Sequence, residues 1–288
     1  MKIKVIKTVQ EMKALVKSVK KAGKTIGLVP TMGALHDGHL TLMKAAKEKC
    51  DVVIASVFVN PTQFGPNEDF ASYPREFESD CAKLESVGVD VVFHPEAAQM
   101  YPKNYTAYVT VDGAITNKLC GAKRPGHFRG VATVVTKLFN ITQADRAFFG
   151  QKDAQQVVVI KCFVRDLNMN VEVEMVPIVR AENGLALSSR NKYLSAAEKK
   201  AALVLSASLN AAKEAYKNGE KNVAVLRQMI IKQIQAEPLA DIDYVNLYSF
   251  PDLEEIERVE GESLIALAVR FGTTRLIDNA IIGGKLCY

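Results

Sequence analysis

The sequence predicts an α/β protein in two parts, a parallel-sheet domain over residues 1–177 followed by a smaller α+β domain over 178–288. Three observations predict this. Residues 25–59 spell strand, helix, strand, which is a βαβ unit. Within it, Asp51-Val-Val-Ile-Ala-Ser-Val-Phe-Val59 is nearly all apolar, as suits a parallel strand buried on both faces. Past Pro177, two helical runs are followed by three strand-like runs without alternation, the pattern of a separate α+β domain.

Taken in order, Val5 to Ala22 reads as a helix, with Leu15, Val16 and Val19 at helical spacing and Gly23 as its stop. Thr25–Val29 is a strand, Leu40–Lys49 a helix and Asp51–Val59 a strand. A Pro/Gly-rich loop follows, Asn60-Pro-Thr-Gln63-Phe-Gly-Pro-Asn67. Arg75–Val87 is predicted as a helix, Val89–Phe93 as a strand and Tyr105–Val111 as an extra strand. Val131–Ile141 is a long apolar helix, Arg146–Gly150 a strand, and Gln151 opens a helix running to about Leu167. Val171–Pro177 closes the core sheet. After a polar loop with a glycine hinge at Gly184, Ser195 and Glu198 form a capping box for one helix over 196–217. A helix over 222–235 and strands near 244–248, 263–269 and 274–280 complete the chain.

Composition narrows the function classes. The chain has 288 residues, 48% apolar and 24% charged, as in ordinary globular proteins with a sizeable core. Thirty-seven Lys and Arg against 32 Asp and Glu give a net charge of +5, spread over helix faces rather than gathered in a nucleic-acid-binding patch. Cysteines 50, 81, 120, 162 and 287 are odd in number and unpaired in spacing, against a disulfide framework or a Cys-type zinc site; each reads as a small apolar side chain. No apolar run reaches the ~20 residues of a membrane helix, and the first residues carry no signal-peptide stretch. A cytoplasmic location with no nucleic-acid or membrane partner is expected.

The chemistry concentrates in a few junctions. Thr31-Met-Gly-Ala-Leu-His36-Asp-Gly-His39 sits between strand and helix. Gly33 and Gly38 let the backbone bend close to a ligand, and a helix start welcomes an anion. His36 and His39 are therefore candidates for donating to phosphate oxygens as charge develops on them. Turn histidines on the surface and a metal pair stay open as other readings, although only His94 and His127 remain as further histidines. His94, beside Pro95, reads as structural. Gly150-Gln-Lys152-Asp153 is a second strand–turn–helix junction, where the lysine would neutralise phosphate and the aspartate accept from ribose; a capping Asp beside a solvated Lys is the alternative. Ser188-Ser189-Arg190 offers two hydroxyls and a guanidinium for a mobile phosphate clamp, or is an ordinary polar loop. Gln63 and Gln156, near a strand-end loop or a helix start, suit a small hydroxy acid held without added charge; taken alone, either reads as a surface glutamine. Arg124, His127 and Arg129 either meet a substrate carboxylate or anchor a loop.

Taken together, Val29-Pro-Thr-Met-Gly-Ala-Leu-His-Asp-Gly-His39, Phe58-Val-Asn-Pro-Thr-Gln-Phe64, Arg124-Pro-Gly-His-Phe-Arg-Gly130, Phe149-Gly-Gln-Lys-Asp-Ala-Gln-Gln156 and Leu187-Ser-Ser-Arg-Asn191 resemble the pantoate–β-alanine ligase (pantothenate synthetase) family. The His-x-Gly-His element alone is shared with a wider nucleotidyltransferase superfamily. The resemblance implies a Rossmann-like ATP- and pantoate-binding domain with a C-terminal lid, usually in a homodimer. The implied reaction takes D-pantoate, ATP and β-alanine to pantothenate, AMP and pyrophosphate with Mg²⁺, in coenzyme A biosynthesis. It further implies that His36, His39, Lys152 and Arg190 carry the catalysis. Met32, Gly33, Gly150, Asp153, Ser188 and Ser189 would join them in binding ATP, and Gln63 with Gln156 would hold pantoate. Arg124 and His127 would border the β-alanine region. Asp80 would help organise the site, with an indirect part in holding Mg²⁺, which is carried mainly by the ATP phosphates. Two rivals remain, a nucleotidyltransferase that leaves the nucleotide on its product and a nucleotide-binding module without turnover. An aminoacyl-tRNA synthetase fits less well, for want of an anticodon-type domain.

Overall fold

The computed structural model describes residues 3–66 and 68–284. In chain order the elements are β1 (Lys4–Ile6), α1 (Val9–Lys21), β2 (Ile26–Thr31), α2 (Asp37–Lys49), β3 (Val52–Val57), α3 (Phe77–Ser86), β4 (Val91–Phe93) and α4 (Ala97–Met100). Then come α5 (Leu119–Lys123), α6 (His127–Thr142), β5 (Arg146–Gly150), α7 (Ala154–Asp166) and β6 (Glu172–Val176). The C-terminal part holds α8 (Ala196–Ala201), α9 (Leu203–Lys217), α10 (Val223–Gln235), β7 (Ala240–Ser249), β8 (Ser263–Phe271) and β9 (Thr274–Ile282). Short 3-10 turns cover Pro61–Gln63, Ala114–Thr116, Gln151–Asp153 and Ser189–Tyr193. The chain divides into two compact units, one of residues 1–116, 120–151 and 155–177, the other of 117–119, 152–154 and 178–288.

The first unit is built on a parallel sheet in the order β1-β4-β3-β2-β5-β6. The predicted α/β class is therefore observed. From β2 the chain winds outward through β3 and β4, then returns to lay β5 against the other side of β2. That reversal puts a topological switch point between β2 and β5, and open α/β sheets bind ligands beyond the carboxyl ends of the strands at such a point. Gly27, Val29 and Ala55 leave the sheet thin where α2 packs, and Leu42, Met43 and Ala46 of that helix join Val29, Val53, Ala55, Val92 and Phe148 in one buried cluster.

Several sequence expectations shift. The opening residues Lys4–Ile6 are a strand paired with Val91–Phe93, and the helix begins only after Thr8, whose hydroxyl accepts from the Glu11 N–H. A β-branched pair, Val5 and Ile6, favours the sheet, and the N-cap favours a start at Val9. α2 begins at Asp37 rather than Leu40, so Gly38 and His39 lie in its first turn. Tyr105–Val111 is not a strand. Its tyrosines pack edge-on along one another, Tyr101 to Tyr105 to Tyr108, and the Val109 N–H donates to the Thr133 hydroxyl of α6 instead of a ladder partner. The helix over 196–217 is interrupted at Ala202, which carries no glycine or proline to account for the break. Cys50 and Cys120 are buried, Cys81 and Cys162 half-buried, and Cys287 lies outside the described residues. His94 is structural: its Nδ1 lies 2.6 Å from the Val57 carbonyl and its ring stacks on Phe77.

In the second unit, antiparallel strands β7, β8 and β9 form one sheet in that order. Leu226, Ile230 and Ile234 recur every four residues along α10 and share a core with Leu205 and Leu209 of α9 and with Val245, Leu267 and Val269 of the sheet. The loop expected to hinge at Gly184 is instead a closed turn. Ala181 and Leu185 are hydrogen-bonded across it, and Arg180 donates to the Gly184 carbonyl and to both oxygens of Asp278, at 2.6 and 2.9 Å. The Asp278 side chain is 1% exposed, so removing it leaves a guanidinium facing an unsatisfied interior. An Asp278→Ala variant is expected to lose about 3–5 kcal/mol of stability, read by urea denaturation.

Candidate active site

The turn between β2 and α2 is held by a carboxylate from another element. Asp80 of α3 is buried and accepts from the Ala34 N–H at 2.9 Å and the Leu35 N–H at 2.7 Å. The same turn is closed by Gly33 N–H to the Thr31 hydroxyl, Thr31 hydroxyl to the Ser56 carbonyl, and Lys83 to the Leu35 carbonyl. Gly33 has φ +84°, and a Cβ there would lie 2.9 Å from Asp80 Oδ2 and 3.1 Å from Val57 Cγ1. Both conformation and space call for glycine. Burial pushes the Asp80 carboxyl up, its two backbone hydrogen bonds pull the other way, and the balance is upward. Both oxygens serve the turn, which makes Asp80 a loop anchor.

This turn aims the imidazoles. His36 lies at the N-cap of α2 and His39 in its first turn, with ring centroids 4.1 Å apart. The His36 N–H points at His39 Nδ1 at 3.4 Å. A nitrogen that accepts cannot carry the proton, so neutral His39 is set as the Nε2–H tautomer, a donor on its far side.

The loop after β3 places Gln63 beside this turn, its Nε2 3.3 Å from Met32 Sδ. Asn60, 1% exposed, donates to the Gln63 side-chain oxygen at 2.9 Å and to the Gly130 carbonyl at 3.2 Å. The Gln63 carbonyl lies 2.9 Å from His127 Nδ1 and 3.4 Å from Arg124. Arg124 also forks onto Glu68, both N–H to oxygen distances being 2.6 Å, and meets His127 Nε2 at 2.9 Å. Arg124 and His127 are thus both bonded to the loop, the guanidinium reaching Glu68 and the Gln63 backbone. Burial raises the Glu68 carboxyl, but the Arg124 hydrogen bond and charge outweigh it and hold the group below the usual glutamate range. Gly130 belongs to the same assembly, for a Cβ there would strike the Thr62 carbonyl and come within 2.6 Å of Gln63 Cα.

At the end of β5, Gly150 closes the strand and Gln156 is half-buried in the first turn of α7. Gln156 enters none of the contacts described for Gln63. Lys152 and Asp153 occupy the intervening 3-10 turn, 3.6 Å apart, and group with the second unit. The Lys152 carbonyl accepts from Asn279 of β9 at 3.0 Å. Ser188 caps the turn over Ser189–Tyr193, its hydroxyl accepting from the Arg190 N–H. Among the described residues no group of three or more His, Cys, Asp or Glu gathers to hold a metal ion. Sequence reasoning assigned no role to Asn60, Glu68, Tyr101 or Asn279. Only Asn60 carried a signal, as the first residue past an apolar strand and before a proline.

A family model for pantoate-beta-alanine ligase matches residues 4–281. The chain belongs to the pantoate–β-alanine ligase family. It is 57% identical over 279 residues to the pantothenate synthetase of Pelotomaculum thermopropionicum, covering 97% of this chain and 99% of that one. The pantothenate synthetase of Acetivibrio thermocellus is 55% identical over 280 residues, covering 97% and 99%. Among solved structures, pantothenate synthetase from Thermus thermophilus superposes with TM-score 0.92 at 44% identity, covering 96% of this chain and 99% of that one. The ligase from Francisella tularensis, complexed with beta-gamma ATP and beta-alanine, gives TM-score 0.79 at 35% identity and 97% coverage of both. The chain is thus an enzyme, an ATP-dependent ligase of pantoate and β-alanine.

Two outcomes test the loop anchors. Asp80→Ala strands the Ala34 and Leu35 N–H groups and is expected to cost about 2–4 kcal/mol, read by chemical denaturation, with a fall in kcat. Glu68 has a depressed folded pKa, so its contribution is whole above the ordinary glutamate range and is lost as pH falls through the folded value. Between pH ~5 and ~3 wild type should therefore lose more stability than Glu68→Gln, followed by thermal melts across that range.

Proposed function

We propose that the ligase works through a pantoyl adenylate. A carboxylate resists attack by an amine and must first be activated. An oxygen of the pantoate carboxylate attacks the α-phosphorus of ATP, forming the acyl–phosphate bond as the bond to the β-phosphate oxygen breaks and pyrophosphate leaves. The neutral amine of β-alanine then attacks the acyl carbon, AMP departs with the bonding pair, and the amine proton passes to solvent. No protein nucleophile is needed.

In this reading His36, His39, Lys152 and Arg190 offset the charge growing on the departing pyrophosphate, by positioning and electrostatics. Met32 and Gly33 wall the nucleotide, Gly150 and Asp153 meet the ribose, and Ser188 and Ser189 join Arg190 on the triphosphate. Gln63 and Gln156 hold pantoate through its hydroxyl and carboxylate. Arg124 and His127 serve the β-alanine side through the loop they anchor. Mg²⁺ comes with ATP, carried mainly on its phosphates. Residues 1–177 bind ATP and pantoate, and residues 178–288 act as a lid that keeps water from the adenylate. The enzyme is a cytoplasmic homodimer that takes small molecules rather than nucleic acid; no described helix is long and apolar enough to cross a membrane.

The observation that supports this most is the 3.3 Å approach of Gln63 to Met32, which sets the amide suited to a hydroxy acid against the turn that carries the imidazoles. Pantoate-dependent exchange of labelled pyrophosphate into ATP is expected without β-alanine, and its absence would sink the adenylate. His36→Ala and Lys152→Ala should each lower kcat about 10²–10³-fold, measured by AMP formation.

A further inference from the structure

We propose that Tyr101 is a positioning residue for pantoate, acting through Asn60 to hold the Gln63 amide with its nitrogen toward the substrate. The proposal rests on the pantoate-binding reading of Gln63 and extends it to a residue well outside that motif.

The contacts leave little freedom. The Gly130 carbonyl can only accept and the Thr62 N–H can only donate. They lie 3.2 Å from Asn60 Nδ2 and 3.4 Å from Asn60 Oδ1, so the Asn60 amide has one orientation that satisfies both. Its nitrogen must then donate to Gln63 at 2.9 Å, which places the Gln63 oxygen inward and its Nε2 outward. Outward, Nε2 meets Met32 sulfur, a weak acceptor that an oxygen of a hydroxy acid outcompetes.

Tyr101 locks the other end of this relay. Its hydroxyl lies 2.7 Å from Asn60 Oδ1, nearer than the Thr62 N–H or the Thr62 hydroxyl at 3.0 Å. The Tyr101 hydroxyl is also 3.1 Å from that of Thr62. Rotating the Asn60 amide by half a turn would set its nitrogen against the Thr62 N–H and its oxygen against the Gly130 carbonyl, and would turn the Tyr101 hydroxyl from donor to acceptor. Burial pushes the Tyr101 phenol up to about 12, so it stays a donor throughout the working pH range and has no acid–base part to play. The ring is fixed independently of the hydroxyl, by the Tyr105 edge contact at 5.1 Å and by Lys137 above its face. Removing the oxygen alone is therefore a clean perturbation.

The test is steady-state kinetics of the full chain, varying each substrate, for Tyr101→Phe, Gln63→Ala and the double variant. Tyr101→Phe is expected to raise the pantoate KM about five- to tenfold, leaving the KM for ATP and β-alanine and the thermal midpoint near wild type. Because the Gln63 contact is made to pantoate before and during reaction, kcat should change less than KM. In the Gln63→Ala background the same substitution should add less than about twofold, the signature of one residue acting through another. An unchanged pantoate KM, equal rises for all three substrates, or effects that multiply in the double variant would each overturn the proposal. Thr62→Val, which removes the hydroxyl touching the same two atoms, is the second variant should Tyr101→Phe not fold; it too should raise the pantoate KM selectively, and a uniform or absent effect counts against the relay. If wild type itself releases no pyrophosphate with pantoate and ATP, the function reading fails instead, which separates the two outcomes.

Discussion

One buried carboxylate fixes the shape of the turn that leads to His36 and His39. Asp80 accepts two consecutive backbone N–H groups from the turn between β2 and α2, and that turn contains two left-handed residues, Gly33 and Ala34. Such a backbone does not hold itself. Without a partner the two amides would reach for water, and the turn would open toward ordinary geometry. Burying Asp80 has a cost, visible in its raised pKa, and the two charge-assisted hydrogen bonds offset it. The return is that α2 starts where it does, with His36 at its cap and His39 one turn in, and with the His36 N–H setting which nitrogen of His39 carries the proton.

The second loop, after β3, is held by a different principle. Here no single group suffices, and Gln63 is gripped from two sides. Its main-chain carbonyl meets His127 and Arg124, the latter neutralised by Glu68, while its side-chain oxygen meets Asn60. Gly130 lets α6 come close enough for Asn60 to reach that helix's backbone. A glutamine on a loop would ordinarily sample several rotamers, and ordering it costs entropy at binding. Two loops anchored so firmly meet at Met32 and Gln63, and the amide is held in one orientation there. Arg124 can only donate, so His127 Nε2 accepts from it and the neutral ring gives its Nδ1–H to the Gln63 carbonyl.

How far the site could be read in advance depends on whether its residues are near in sequence. His36 and His39 are three apart on a strand–turn–helix junction, so their neighbourhood is legible from local pattern alone. The same holds for Ser188 with Arg190 and for Lys152 with Asp153. Asp80 is 46 residues from Ala34, Glu68 is 56 from Arg124, and Asn60 is 70 from Gly130. Nothing in composition or period ties such pairs. Tyr105–Val111 shows the same limit from the other direction: alternating aromatic and β-branched residues spell a strand, yet a strand needs a partner edge, and packing gave these residues α6 instead.

Local chemistry was enough to establish the α/β class and the motifs that mark the family, because hydrophobic period and turn residues act over a few positions. Which residue holds which was decided only when the sheet brought β2, β3, β5 and α6 together. Hydrogen bonds of the kind that join Asp80 to Leu35, or Tyr101 to Asn60, exist only between groups that folding has already placed within 3 Å of each other. That is why the bonds of Arg124 and His127 to the Gln63 loop could not be read from their own motif.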